Sequence, residues 1–332
     1  MHIDPYTTRT IRRDTHPWTR MVASFGALGL ALGLATACDD DRATNPITPT
    51  SSTSIESRSR YPDGRIVFLV DSIGPDGERL RGSAVSVMNP DGTDVVRLTP
   101  LGSFYDPTWS PDRKRIAFAD EATGMIGVMN ANGRGVRWVT KGGYPSWSPD
   151  GRQIVFSRHV GLERSDLFVV NADGTGEVRL TNTSNLSETD PAWSPDGRLI
   201  AFVGVRNGWE ILLMDAQGGP AEQMTTCLDE GMSCRSPEWG PRPDTLALAY
   251  IAQRDDLAQF RVLNGTTRQT VSLADDLPGV SGPGWSPDGT HLVFGSRRET
   301  PGRQALFSVE IATNTVQRRS FYGAGEHDPS WR

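Results

Sequence analysis

Short apolar runs recur through residues 60–332, separated by polar turns rich in glycine, proline and aspartate. Among them are Arg115-Ile116-Ala117-Phe118, Gln153-Ile154-Val155-Phe156, Leu199-Ile200-Ala201-Phe202 and His291-Leu292-Val293-Phe294. Runs this short, bounded by turn formers, predict strands buried on both faces; a helix needs a periodic stretch of ~10 residues or more. Downstream of such a run comes a third strand, as at residues 126–129 or 167–170. A second turn follows, Asn171-Ala172-Asp173-Gly174 in one unit, and then a brief fourth strand, as at residues 178–180.

The first strand of each unit carries a repeated signature, Pro-x-Trp-Ser-Pro-Asp-Gly. It places Trp109, Trp147, Trp193, Trp239 and Trp285 at spacings of 38, 46, 46 and 46 residues. Pro329-Ser330-Trp331 stands 46 residues beyond Trp285, while Tyr61-Pro62-Asp63-Gly64 near the start has the turn without its tryptophan. The two ends complete one another. Four strands per ~46 residues predict an all-β, six-bladed β-propeller of four-stranded antiparallel blades, closed when the C-terminal strand enters the first blade. In the turn, Pro presets φ and Gly accepts φ > 0, so Arg113 in the glycine position predicts local strain. The regular tryptophans predict inter-blade core.

The Pro-x-Trp-Ser-Pro-Asp-Gly, Ile-Ala-Phe, Val-Met-Asn-x-x-Gly and Arg-Leu-Thr pattern resembles the TolB-type, WD-like propeller repeat over about residues 60–332. The resemblance implies the fold and an envelope setting. TolB proper carries a smaller α/β domain ahead of its propeller, where this chain is expected to have only a linker. Similar propellers precede the hydrolase domain of prolyl oligopeptidases, but no Gly-x-Ser-x-Gly elbow occurs here, so peptidase activity does not carry over.

Composition agrees with a strand-and-turn protein: 35 Gly and 23 Pro among 332 residues interrupt the chain too often for a helix bundle. Net charge is −6, with no run of basic residues, so phosphate backbones would repel the surface and nucleic acid is not an expected partner.

Residues 21–37, MVASFGALGLALGLATA, form an apolar stretch behind Arg9, Arg12, Arg13 and Arg20, and Cys38 follows at once. This layout predicts a lipoprotein signal over residues 1–37, with Cys38 as the lipidated residue anchoring the chain to a membrane. Residues 38–59, rich in Ser, Thr, Pro and charge, predict a flexible tether. Cys227 and Cys234 are then left for a disulfide in an oxidising compartment.

Blade connectivity puts the short repeat turns on one face and the variable loops on the other, where a rigid ring ordinarily binds its partners. Phe104, Tyr105, Asp106, Tyr144, Glu188, Asp190 and Asp328 are the candidate partner-binding residues there. Asp106, Asp190 and Asp328 each stand three positions before a repeat tryptophan, which places them near the channel mouth. Three carboxylates offer hard oxygen ligands to a divalent cation such as calcium; alternatively each caps its own Asp-Pro turn. Arg158, Arg206, Arg254 and Arg297 follow second strands and are expected to pair with nearby acids. Residues 71–83 predict a charged, Gly-rich insertion in the first blade. His159, His291 and His327 share no register that makes a metal site or a nucleophile–base pair.

The expected function is non-catalytic: a monomeric, lipid-anchored envelope propeller without a cofactor, docking a protein or peptide on its variable-loop face. Two alternatives are an enzyme acting on extracellular carbohydrate or lactone through a channel cation, and a Tol–Pal-like component of envelope integrity.

Overall fold

The computed structural model describes residues 64–73, 79–161, 164–265, 267–299, 303–320 and 325–332. The expected signal segment, Cys38 and the tether lie outside these residues. Six four-stranded antiparallel sheets make the six blades, each strand pairing with its sequence neighbour except where the last strand joins the first. The innermost strands are Glu326–Trp331 in blade 1, then Phe104–Trp109, Gly143–Trp147, Ser187–Trp193, Ser233–Trp239 and Ser281–Trp285 in blades 2 to 6. In blade 1 the C-terminal strand pairs with Ile66–Ile73, with Ile66 opposite Trp331, and the Arg65 amide donates to the Arg332 carbonyl at 2.6 Å. The ring is therefore closed by ordinary ladder bonds, leaving no open inner edge.

Six apolar clusters hold the ring, one between each pair of adjacent blades. The second strands supply Phe118, Phe156, Phe202 and Phe294, all 1 % exposed or less, because both faces of these strands meet a neighbouring blade. The repeat tryptophans cap the same clusters: Trp109, Trp147, Trp239, Trp285 and Trp331 are 4 to 6 % exposed. Three indoles also join neighbouring blades directly. Trp147 Nε1 donates to the Thr108 carbonyl (3.3 Å), Trp239 to Ala192 (3.1 Å) and Trp285 to Glu238 (2.9 Å).

The conserved-looking turn has a second mechanism besides Pro and Gly. The serine hydroxyl donates to the aspartate two residues on, at 2.6 Å in Ser110, Ser148, Ser194 and Ser286. The same oxygen accepts the amide five residues on, from Arg115, Gln153, Leu199 and His291. Each buried hydroxyl thus satisfies the turn's inward polar groups. Arg113 adopts φ 59°, the strained position expected from its place in the turn.

Within the expected insertion, residues 71–73 and 79–83 are strand. Strands Ile66–Ile73 and Arg79–Met88 continue the blade's second hairpin, with Asp71 opposite Ser83. Asp71 is thereby carried to the inner part of the ring, next to the closing strand.

Candidate functional site

Each inner strand is interrupted two or three residues before its tryptophan. In blade 2, Tyr105 pairs with Ala119 and Thr108 with Ala117, so two residues of the inner strand oppose one of its partner. The same bulge falls between Gly143 and Ser146, Thr189 and Ala192, Arg235 and Glu238, and Ser281 and Gly284. At its first position the backbone is left-handed in Asp106 (φ 47°), Tyr144 (55°), Asp190 (49°), Ser236 (51°) and Asp328 (48°). Bulges re-aim side chains, and left-handed backbone in non-glycine residues persists only where the surroundings enforce it. Five blades enforcing it at one register turn five side chains toward the same end of the channel.

The carboxylates of Asp106, Asp190 and Asp328 lie close enough there to shift one another. Burial raises Asp106 well above the usual carboxylate range, and the charges of Asp328 and Asp190 push the same way. Its Oδ2 is enclosed and accepts no hydrogen bond from the described residues. Asp190 is lifted to about 6 by burial, against the pull of Arg235 and of the Ser236 amide that it accepts from the next blade. Asp328 behaves oppositely. Burial pushes it up, but His327, Arg235 and Ser281 outweigh that and hold it below its ordinary value.

Two cations sit among these acids. His327 Nδ1 lies 3.0 Å from Asp328 Oδ2 and Nε2 lies 3.1 Å from Asp71 Oδ1. Burial opposes its charge, yet the two carboxylates overcome burial and raise the imidazole to about 10, so it is an imidazolium at neutral pH. Arg235 donates to Gln253 Oε1 (2.7 Å) and to the Val280 carbonyl (2.9 Å), and its charge acts on Asp190, Asp328 and Tyr144. Tyr105 and Tyr144 meet edge to face at 5.7 Å beside the acids. Burial, then Asp106, pushes the Tyr105 hydroxyl up to about 12, and Tyr144 is raised by burial and by Asp190. Both phenols are neutral donors.

Of the predicted residues, Tyr105, Asp106, Tyr144, Asp190 and Asp328 come together at this mouth. Phe104 does not face it alone, since its ring packs on Phe118 at 5.3 Å within the blade core. Glu188 is 1 % exposed and is taken up by the hydroxyls of Thr181 and Thr183, the latter at 2.7 Å. Asp190 accepts from the following blade, and the Asp328 carboxylate is taken up by His327 at 3.0 Å and by Ser281. Among the described residues, the three aspartates do not gather their oxygens as one ion would require. The group whose donor atoms lie within 4.8 Å of one another is Glu210 with Cys227 and Cys234. Those two sulfurs are joined in the expected disulfide, and Glu210 accepts the Cys227 and Leu228 amides at 3.0 and 2.7 Å, holding the loop in place.

Arg158 pairs with Glu177 at 2.6 Å and Arg297 with Asp256 at 2.5 Å, while Arg254 donates to the Glu230 carbonyl. Arg158 thus ties strands of its own blade, whereas Arg297 of blade 6 reaches back to blade 5. Arg235 and His327 were not assigned a role from sequence, although each occupies the position immediately before the bulge residue. Reading that register across blades, Tyr105, Gly143, Thr189, Arg235, Ser281 and His327, is the signal that exposes them.

The comparisons with known proteins follow the geometry. Residues 63–242 match the model of the TolB β-propeller domain family. The chain belongs to this family. Its fold is similar to TolB from Acinetobacter baumannii, with a TM-score of 0.69 and 20 % identity, covering 81 % of this chain and 66 % of that one. The chain thus spans just under two thirds of that protein's length. It is also similar to hydrazine synthase from Kuenenia stuttgartiensis, at TM-score 0.62 and 13 % identity, covering 82 % of this chain and 47 % of the other. An oligogalacturonate lyase from Vibrio parahaemolyticus aligns at TM-score 0.50 and 14 % identity, covering 76 % and 79 % of the two chains. At these identities the likeness is one of fold. No curated protein matches the chain.

Proposed function

We propose that this TolB-family propeller is a non-catalytic component of the cell envelope. It docks a protein or peptide on its variable-loop face, with the channel mouth as anchor. The observation that carries the reading is Asp106 Oδ2, an enclosed acceptor without a donor, set between two other carboxylates. A buried acceptor left unpaired costs about 1–3 kcal/mol, which a partner's N–H recovers on binding. Beside it Tyr144 is 39 % exposed, and farther out on the loop side of blade 4 Trp209 is 41 % exposed. Aromatic residues around a polar anchor are the usual composition of interface centres. Family membership supports the envelope setting, and Cys38 with residues 38–59 supplies the lipid anchor and reach in this reading.

A photo-crosslinking residue placed at Tyr144, in the chain expressed in its native envelope, tests the proposal against the same probe at Asp150 on the short-turn face. One stoichiometric adduct from position 144, weakened by Asp106→Asn and absent from position 150, is expected. Equal adducts from both positions, or none from 144 while a known envelope complex is captured in parallel, overturns it. Loss of envelope integrity on deletion, together with capture of a peptidoglycan-associated lipoprotein, would specify the Tol–Pal-like form of this role.

A further inference from the structure

The other end of the channel is lined by the repeat's own turns. Two lobes of about 110 and 180 Å³ meet there at Glu238, Trp239 and Arg332. The larger exceeds the roughly 150 Å³ that admits a six-membered ring. Its wall combines the indole and proline surfaces of Trp109, Trp147, Pro149 and Pro195 with the polar side chains of Thr108, Ser146, Ser194, Glu238 and Arg332.

Two polar groups of this wall lack partners. In three blades the indole N–H donates to the residue just before the previous blade's tryptophan, Trp147 to Thr108, Trp239 to Ala192 and Trp285 to Glu238, while Trp193 donates to the Gly197 carbonyl of its own turn at 3.2 Å. Trp109, beside the closing strand, is 4 % exposed, yet its Nε1 has neither kind of partner among the described residues. The Glu238 carboxylate accepts no hydrogen bond among the described residues, and the cation acting on it is Arg332. The mouth therefore presents one unused donor, one unused acceptor and one guanidinium around a cavity walled by indole, proline and hydroxyl-bearing side chains.

A simple organic cation would pair with Glu238 and leave the indole N–H unmet. A simple anion would do the reverse, and would leave Glu238 desolvated beside it. We propose that the short-turn mouth binds a small zwitterion of the free α-amino-acid class. Its ammonium group pairs with Glu238 and its carboxylate with the Trp109 N–H and the Arg332 guanidinium. The ligand's side chain lies against the proline and indole walls. This site is at the opposite end of the channel from the docking face and does not depend on that reading. Because burial lifts Glu238 to about 7, the ammonium group favours the ionised form, so binding releases a proton and tightens as pH rises from 6 to 8.

The test titrates the folded chain with L-alanine, L-leucine and L-phenylalanine, followed by tryptophan fluorescence and calorimetry. Each amino acid is compared with its N-acetyl and its amide derivative. Saturable binding of at least one free amino acid is expected, weakened about tenfold or more when either charge is blocked. Trp109→Phe keeps the ring and removes the N–H; Glu238→Gln keeps the shape and removes the charge. Each should weaken binding about fivefold or more with the melting transition retained, and Glu238→Gln should abolish the pH dependence. If Trp109→Phe does not fold, the glutamine variant and the blocked derivatives decide the matter. No saturation up to about 10 mM, undiminished binding of the blocked derivatives, or binding unchanged in Glu238→Gln overturns the proposal.

Discussion

Glu238→Gln should make the folded protein more stable at pH 8 and leave it unchanged at pH 4. Burial on the inner strand of blade 5 raises this carboxyl from 4.5 to about 7, against the attraction of Arg332. At about 1.36 kcal/mol per pH unit, that corresponds to roughly 3 kcal/mol of preference for the neutral form. Water reaching the open mouth screens part of this, leaving about 2 kcal/mol. The sign follows from the folded pKa lying above the unfolded one. Below pH 4.5 both states are protonated and the charge has no effect. Between 4.5 and 7 the unfolded chain ionises first and folding loses stability, and above 7 the whole penalty is present. Glutamine removes it, so the stability difference should grow from zero at pH 4 to about 2 kcal/mol at pH 8. For a domain of this size that is about 4 °C in the thermal midpoint. Thermal and urea unfolding of the two proteins at pH 4, 6 and 8 measures the difference directly. An increment of equal size at all three pH values, or a glutamine variant less stable at pH 8, would refute burial of the charge as its origin.

Further outcomes follow from other parts of the ring. Trp239→Ala removes a side chain 4 % exposed and its bond to Ala192, and should lower stability by about 3–5 kcal/mol in denaturant titration. Replacing Cys227 and Cys234 together by alanine opens a loop whose ends are seven positions apart, and should lower stability by about 2.5 kcal/mol; the variant should then be indifferent to reductant. The His327 imidazole should remain protonated at pH 8 in an NMR titration, since its pKa is about 10. His327→Gln should lower stability at pH 7 by about 3 kcal/mol, a gap that narrows as pH rises toward 10 and the native histidine loses its proton.

The recurrence of Trp109 through Trp331 and the Ser-Pro-Asp-Gly turns determined the blade number, the strand order and the closure of the ring. These are consequences of local propensity and of a repeat that buries its faces only by stacking on its neighbours. The disulfide was equally legible, because two cysteines remained once Cys38 was set aside and their loop was short. What the sequence could not display is how the inner strands treat their middle residues. Register alone put Asp106 and Tyr144 on the loop face, but the bulge with its left-handed backbone, which turns both side chains toward one mouth, is seen only in the folded strand. The charge balance there was hidden for a related reason. His327 meets Asp71 across 256 positions of chain, and Arg235 of blade 5 acts on Asp190 of blade 4 and Asp328 of blade 1. Glu238 stands where the other blades carry Thr108, Ser146, Ala192, Gly284 and Ser330, and nothing local shows whether its carboxylate is buried or paired. Whether an ionisable group is paired, buried or free depends on distances between blades, and those exist only once the ring has closed.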